Sequence, residues 1–184
     1  MRVITGIARG RKLSTPEGLD VRPTTDKVKE SMFNIVQFDL PGSKVLDLFA
    51  GSGQLGIEAL SRGAAYCTFV DSSAYSLTFV KDNLEHTGLM NHGAVVKNED
   101  CISFLQKSKD TFDVAFLDPP YRKQMMNAVL PLLAPRMSDQ GVIVCESAIE
   151  EELPKEAGNL AIYREYNYGK IKLTVYRVKE DEDA

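Results

Sequence analysis

The group in this sequence best suited to chemistry is the run Asp118-Pro119-Pro120-Tyr121. It follows residues 112–117, an apolar segment that predicts a buried strand. The Asp118 carboxylate and the Pro119 carbonyl can accept hydrogen bonds from an amino group, and the two prolines hold these acceptors in place. Such acceptors could localise and aim the lone pair of an exocyclic amine of guanine or adenine, while Tyr121 offers a flat face to an unstacked base. The alternative is an ordinary turn that caps the next helix.

A second group of residues, 45–56 (V-L-D-L-F-A-G-S-G-Q-L-G), predicts a strand, a tight glycine turn and the start of a helix. Gly51, Gly53 and Gly56 have the G-x-G-x-x-G spacing, and glycine lets the main chain approach a ligand closely. The helix that begins there presents unpaired N–H groups. Asp71 lies twenty residues after Gly51, at the end of a second predicted strand, where an acid can bind the ribose of NAD or of another adenosine cofactor. The spacing alone therefore leaves the cofactor open.

Two details favour a cofactor other than NAD. Asp47 lies four residues before Gly51, where an acid could meet an ammonium group, and residues 118–121 form the amine-directed group described above. Together these features resemble S-adenosylmethionine-dependent methyltransferases that act on exocyclic amines. The resemblance implies that the glycine loop holds the methionine part, Asp71 the ribose and Asp100-Cys101 the adenine; Asp100 as a simple helix N-cap is the alternative. The implied cofactor-binding residues are Asp47, Phe49, Gly51, Ser52, Gly53, Asp71, Ser72, Asp100 and Cys101.

Strands and helices alternate from residue 44 onward, which predicts a parallel sheet with right-handed crossovers. We predict strands at about 44–49, 66–71, 93–97, 112–117, 141–147, 160–167 and 171–178, and helices at about 54–62, 73–86, 100–107, 123–134 and 149–156. Three residues join the last two strands, so these must form an antiparallel hairpin. The expected fold class is α/β, with a Rossmann-like, seven-stranded class I methyltransferase sheet whose order, 3-2-1-4-5-7-6, is implied by the resemblance. In that order both groups face one crevice at the topological switch point.

The N-terminal segment is basic and the rest of the chain is acidic. Residues 1–29 carry seven basic and three acidic side chains (+4), which leaves −8 elsewhere from the net charge of −4. A basic arm on an acidic body attracts phosphate at one end only, and a solvated surface segment is the alternative. We expect a small β-arm over 1–23, a methyltransferase domain over 24–178 and an acidic tail over 179–184.

Over essentially its whole length, the chain resembles the bacterial 16S rRNA guanine-N2 methyltransferase family of RsmD type. The resemblance is carried by Arg9–Leu13, Arg22–Glu30, Phe33-Asn34-Ile35, Asp47–Gly53, Leu55–Ala64 and Phe116–Tyr121. It implies a monomer that transfers a methyl group from S-adenosylmethionine to the N2 amine of one guanine of 16S rRNA in small-subunit particles. Asp118, Pro119, Pro120 and Tyr121 would then be the catalytic residues. The implied RNA contacts are Arg9, Arg11, Lys12, Arg22 and Lys27.

Several classes of protein fit the sequence poorly. No apolar run is long enough to span a bilayer and the first residues lack the apolar region of a signal peptide, so we expect a cytoplasmic protein. The three cysteines lack C-x-x-C spacing and the two histidines lack neighbouring ligands, so we expect no disulfide framework and no metal. Asn83, in the second predicted helix, is expected at the surface.

Three other functions compete with the family resemblance. The first is methyl transfer to another amine, either adenine N6 of DNA or a glutamine of a protein. DNA enzymes commonly need a separate recognition domain, for which 184 residues leave no room, and the protein enzymes usually have Asn in place of Asp118. The second is a nicotinamide-dependent oxidoreductase, for which no hydride-transfer residues stand out. The third is a non-catalytic RNA-binding assembly factor, which the intact group at 118–121 disfavours.

Overall fold

The computed structural model describes residues 1–17, 25–120 and 125–180. The described helices are α1 (Asp26–Ile35), α2 (Gln54–Ser61), α3 (Ala74–Thr87), α4 (Cys101–Lys107) and α5 (Met125–Leu133), with a 3₁₀ turn at Ala134–Arg136. The described strands are β1 (Lys44–Asp47), β2 (Tyr66–Asp71), β3 (Ala94–Asn98), β4 (Phe112–Leu117), β5 (Met137–Ala148), β6 (Glu156–Ala157), β7 (Leu160–Tyr168) and β8 (Ile171–Val178). None of the described helices is long and apolar enough to cross a membrane.

All eight described strands form one sheet in the order β3-β2-β1-β4-β5-β8-β7-β6. The first five strands of the chain are parallel, and β8 runs antiparallel to both β5 and β7. The predicted α/β class, the order of the seven predicted strands and the antiparallel C-terminal hairpin are confirmed. The sheet has one strand more than predicted, because the two-residue strand β6 pairs with the outer edge of β7.

The prediction of a helix over 149–156 is wrong. Residues 149–155 form turns and irregular structure that leads into β6. Leu153 is buried against the core, and the Pro154 carbonyl accepts a hydrogen bond of 2.6 Å from the buried Tyr176 hydroxyl. Proline has no N–H and disfavours the helical conformation of the residue before it, so Pro154 weakens a helix in this segment.

Both faces of the central strands β1, β2 and β4 are buried, as expected for parallel strands joined by helices. Along β4, Val114 and Phe116 belong to the core beneath α1, α2 and α3, whereas Ala115 and Leu117 belong to the core beneath α4 and α5. The parallel register pairs Asp47 of β1 with Phe116 of β4. The carboxyl ends of β1 and β4 therefore lie side by side in the middle of the sheet.

The N-terminal segment is docked on the sheet domain. Arg2 and Lys12 form an antiparallel bridge, and the other described residues of the predicted β-arm, within 1–17, form turns and irregular structure. Val3, Ala8 and Leu13 are buried in the same core as α2. This contact leaves every residue of α2 buried, between the arm on one side and the sheet on the other. The expected junction at residues 23 and 24 and the tail residues 181–184 lie outside the described ranges.

Candidate active site

A cleft of about 1280 Å³ opens at the carboxyl ends of β1, β2, β4 and β5. It contains most of the residues that the sequence predicted to act together. The predicted residues that line it are Asp47, Phe49, Gly51, Ser52, Asp71, Ser72, Asp100, Cys101, Asp118, Pro119 and Pro120. Gly53 is buried behind this wall, and Tyr121 lies outside the described residues.

The glycine loop joins β1 to α2 through two left-handed residues. Gly51 and Gly53 have φ values of +57° and +84°, which L side chains rarely adopt. Gly53 is the N-cap of α2, and Gly56 lies in the first turn of that helix. A Cβ at Gly56 would overlap the Phe69 ring, so glycine is what lets α2 pack this closely on β2. The loop thus brings the start of α2 to the edge of the cleft.

Asp47 combines a place in the cleft wall with almost complete burial, since only 2% of it is exposed. Its Oδ2 accepts the Gly56 N–H at 3.0 Å and so satisfies a donor in the first turn of α2. Burial raises the pKa of Asp47 to about 7, the Gly56 hydrogen bond opposes that rise and the negative charge of Asp71 adds to it. The carboxyl is therefore poised to lose its proton near neutral pH.

Asp71 connects the glycine loop to the start of α3. Its Oδ2 accepts the Gly51 N–H at 2.9 Å and its Oδ1 accepts the Ser73 N–H at 2.8 Å. The N-cap of α3 is Ser73, whose hydroxyl accepts the Ser76 N–H at 3.1 Å. A carboxylate has about four acceptor sites, so two are left for a ligand. Asp71 can thus hold the loop and bind a ligand hydroxyl at once.

Asp100 is the N-cap of α4. Its Oδ2 accepts the N–H groups of Ile102 and Ser103 at 3.1 and 3.2 Å, so the helix-cap alternative is realised while Asp100 also lines the cleft. Cys101 follows as a buried residue, and its sulfur lies 3.9 Å from that of Met125. Together, Cys101 and Met125 give this end of the cleft an apolar wall beside an acid.

Asp118 directly follows β4, and Glu146 lies near the carboxyl end of the neighbouring strand β5. Leu117 of β4 pairs with Cys145 of β5 in parallel register, so the next residues along each strand, Asp118 and Glu146, are adjacent. Both are half-buried and both line the cleft. The sequence analysis missed Glu146. Its only signal is an acid at the end of an apolar strand, which gains meaning once the neighbouring strand is known.

The described residues that line the cleft include many acids and no lysine or arginine. The acids are Asp47, Asp71, Glu99, Asp100, Asp118, Glu146, Glu150, Glu151 and Glu152. Within the same described residues, no group of three or more His, Cys, Asp or Glu side chains could hold a metal ion. This lining favours a cationic or hydrogen-bond-donating ligand over phosphate.

Asn83 is buried, so its predicted surface position is wrong. Its Nδ2 donates to the carbonyl oxygens of Ser14 and Ser52, both at 2.9 Å, and its Oδ1 accepts the Ser14 N–H at 2.8 Å. Ser52 belongs to the glycine loop and Ser14 to the N-terminal segment. Asn83 shares a buried face of α3 with Val80, Leu84 and Thr87. That helical spacing is the signal that could have revealed it.

The N-terminal arm is held on α2 by a buried carboxylate. Glu58 accepts the N–H groups of Ile4 and Thr5 at 2.7 and 3.1 Å, and it forms ion pairs with Arg62 at 3.0 Å and Lys29 at 3.3 Å. Lys29 is buried, and that burial lowers its pKa although Glu58 partly compensates. The Lys29 ammonium group therefore pairs with Glu58 inside the protein and adds no charge to the surface.

The cations that were predicted to contact RNA lie at the surface, as far as the structure describes them. Arg9, Arg11, Lys12 and Lys27 are exposed, whereas Arg22 lies outside the described residues. Ala8 donates its N–H to the Ser61 hydroxyl at 3.0 Å, at the end of α2 farthest from the glycine loop. Arg9 therefore belongs to the part of the arm distant from the cleft, while Ser14 reaches the cleft through Asn83.

Comparisons with known proteins agree with this architecture. The model of the family described as "Conserved hypothetical protein 95" matches residues 1–177. The chain is 43% identical over 181 residues to "Putative rRNA methyltransferase YlbH" of Bacillus subtilis (strain 168), covering 96% of this chain and 98% of the relative. It is 37% identical over 180 residues to "Ribosomal RNA small subunit methyltransferase D" of Escherichia coli (strain K12), covering 96% and 89%. The solved structure of "Putative methyltransferase yhhF" from Escherichia coli superposes with a TM-score of 0.87 at 36% identity, covering 98% and 99%.

Proposed function

The chain belongs to the conserved hypothetical protein 95 family, the RsmD-type S-adenosylmethionine-dependent rRNA methyltransferases, and on that basis we propose that it methylates the N2 amine of a guanine in 16S rRNA. The observation that carries the proposal is that Asp118-Pro119-Pro120 and the glycine loop line the same cleft. Asp47, Phe49, Gly51, Ser52, Gly53, Asp71, Ser72, Asp100 and Cys101 are the proposed cofactor-binding residues, and Tyr121 joins residues 118–120 as the proposed catalytic group.

The residues of the cleft fit S-adenosylmethionine. The side-chain oxygen of Gln54 is buried at the cleft wall without a hydrogen-bond partner among the described residues, so it is suited to accept from the ammonium group of the cofactor. Asp47 adds a nearby carboxyl, and Asp71 has acceptor sites left for ribose hydroxyls. When bound, the cofactor supplies a methyl group that is made electrophilic by the positively charged sulfur. The acidic lining of the cleft favours binding of that positive charge.

Asp118 and the Pro119 carbonyl act on the target amine. By accepting its N–H hydrogens, they favour a nitrogen lone pair that is less delocalised into the ring and is directed at the methyl group. The amine nitrogen then forms a bond to the methyl carbon while the carbon–sulfur bond breaks and leaves its electron pair on sulfur. The methylated nitrogen finally releases one proton, for which the Asp118 carboxylate is the adjacent acceptor and solvent the final one. The base must leave its stack to reach this position.

The exposed cations of the arm and of the start of α1 are the proposed contacts to rRNA phosphates. Arg9, Arg11 and Lys12 lie on a segment that is docked on α2, and Lys27 lies in the first turn of α1, so the folded domain holds all four in place. We retain the division into an arm (1–23), a catalytic domain (24–178) and a tail (179–184) as part of the proposal, together with Arg22 as a further RNA contact. A ribosomal substrate also favours a monomer that acts in the cytoplasm.

The experiment that tests the proposal measures transfer of labelled methyl to three substrates. These are unmodified small-subunit particles, naked 16S rRNA and duplex DNA, with the modified nucleoside identified by mass spectrometry. We expect N2-methylguanosine from the particles or the naked rRNA. Label recovered only as N6-methyladenine in DNA would establish a different substrate, and cofactor binding without transfer to any substrate would favour a binding factor.

A further inference from the structure

We propose that Glu146 selects guanine at the active site, by accepting the N1–H of the target base while Asp118 accepts from its N2 amine. This inference rests on the proposed function and names the residue that reads the base. Glu146 was not among the residues that the sequence motifs indicated.

The position of Glu146 follows from the register of the sheet. Leu117 and Cys145 are paired, so Asp118 and Glu146 occupy the next positions of two parallel strands, which lie about 4.8 Å apart. Both side chains line the cleft and are half-buried. The neighbouring Ser147 hydroxyl donates to the Ala148 carbonyl at 3.3 Å, so its proton is directed to the backbone. A base held at Asp118 would therefore have the Glu146 carboxylate beside it.

The chemistry of the two carboxylates matches one base edge. Ionised carboxylates only accept hydrogen bonds, and each has about four acceptor sites, so Glu146 can accept from a base alongside any protein donor. The Watson–Crick edge of guanine presents N1–H and N2–H₂ side by side, which are both donors. Adenine presents its N6 amine beside an N1 lone pair. If the adenine amine faced Asp118, that lone pair would face the Glu146 carboxylate and be repelled.

A base analogue removes this contact together with the O6 carbonyl of guanine, and the Glu146 variants then separate the two. In 2-aminopurine the amine at C2 is retained, but N1 is an acceptor without a hydrogen. Small-subunit particles are reconstituted with 16S rRNA in which the methylated guanine is replaced by 2-aminopurine, and kcat/KM is compared with that for the guanine particles. The wild-type protein should prefer guanine by about 10- to 100-fold, the cost of one unpaired hydrogen bond in a partly buried site.

The variant Glu146→Gln should lower that preference by at least about 10-fold, because a glutamine amide can present either a donor or an acceptor to N1. Glu150→Gln is the matched control, since Glu150 also lines the cleft but is exposed and lies in the turn after β5. It should keep the wild-type preference. Glu146→Asp retains an acceptor and should keep the preference for guanine at a reduced rate. Calorimetric affinity for S-adenosylmethionine should be unchanged in all three variants.

The outcomes separate this inference from the function on which it rests. Equal wild-type use of guanine and 2-aminopurine, or a Glu146→Gln variant that keeps the wild-type preference, would overturn the role of Glu146 while leaving N2-methylation in place. If the wild-type protein makes no N2-methylguanosine on the guanine particles, the proposed function fails and this inference fails with it.

Discussion

Asp47 is the residue whose charge is most sensitive to pH in the cleft. Its pKa of about 7 in the folded protein lies above that of an unfolded aspartate, about 3.9. Between these values the folded protein holds a proton that the unfolded chain has released. The contribution of Asp47 to the free energy of unfolding therefore decreases as the pH rises from about 4 to about 7, because the unfolded carboxyl is ionised in this range and folding must return a proton to it.

The same titration should affect cofactor binding. As the pH rises from about 6 to about 7.5, ionisation of Asp47 should strengthen binding of S-adenosylmethionine several-fold, because an anion then faces the cationic ligand. Isothermal titration calorimetry measures this dependence. Asp47→Asn keeps an oxygen that can accept the Gly56 N–H and should flatten the dependence over that range. An Asp47→Asn variant with the wild-type pH dependence would contradict this role.

Single residues were predictable where a local motif defines them. The glycine group at 51–56 and the group at 118–121 are each contiguous in the sequence, and Gly51, Ser52 and residues 118–120 line one cleft. Glu146 could not be found in this way, because it is distant from Asp118 along the chain. The two residues become neighbours only through the pairing of β4 with β5. For Asp100 the sequence offered two roles, a helix cap and a cofactor-binding residue. In the structure the same side chain caps α4 and lines the cleft.

Helix α3 couples the arm to the glycine loop through Asn83. Asn83→Ala would leave the Ser52 carbonyl and both main-chain groups of Ser14 without this amide, at a cost of about 1–3 kcal/mol. Because Ser52 lines the cleft, we expect the affinity for S-adenosylmethionine to fall about 5- to 10-fold, a loss of about 1–1.4 kcal/mol.

The control for Asn83→Ala is Thr87→Val in the same buried helix face. The Thr87 hydroxyl donates to the carbonyls of Asn83 and Leu84 at 2.7 and 3.2 Å and does not reach the glycine loop. Thr87→Val should lower the thermal midpoint without changing the cofactor affinity. Equal cofactor affinities for the Asn83→Ala, Thr87→Val and wild-type proteins would show that the arm and the loop are not coupled through α3.

The order of the elements was easier to predict than their ends. Alternating strands and helices predicted a parallel sheet with right-handed crossovers, and the seven predicted strands occur in the order that the family resemblance implied. The segment at 149–156 misled the prediction because its glutamates favour helix locally. Pro154 and the burial of Leu153 outweigh that preference once the segment packs against Tyr176.

Charge differs between the cleft and the arm. The described lining of the cleft is acidic, whereas Arg9, Arg11 and Lys12 on the docked arm and Lys27 at the start of α1 are exposed cations. This division favours a complex in which phosphates stay on the arm while an uncharged base enters the cleft. The sequence predicted the basic segment but not the loss of Lys29 to an internal pair with Glu58, since that pair requires α1 and α2 to be in contact.

The arm should control the salt dependence of RNA binding. Replacing Arg9 and Arg11 together by alanine should weaken binding to 16S rRNA and reduce the slope of log K against log salt by about 0.7–0.9 for each lost phosphate contact. Lys107 and Lys109 are the control pair, because they are exposed at the end of α4, on the other face of the sheet. Filter binding over a range of salt concentrations measures both slopes, and equal slopes for the two double variants would contradict the role of the arm.

The decisive measurement is the turnover and cofactor affinity of Asp118→Ala. We expect it to bind S-adenosylmethionine with nearly the wild-type affinity and to form N2-methylguanosine on small-subunit particles about 10²- to 10³-fold more slowly, the usual cost of losing one preorganised catalytic group. Asp113→Ala is the control at the opposite end of β4, where the carboxylate accepts the Lys44 N–H at 2.9 Å away from the cleft, and it should turn over at the wild-type rate. An Asp118→Ala variant with wild-type turnover would show that methyl transfer does not depend on this cleft as described.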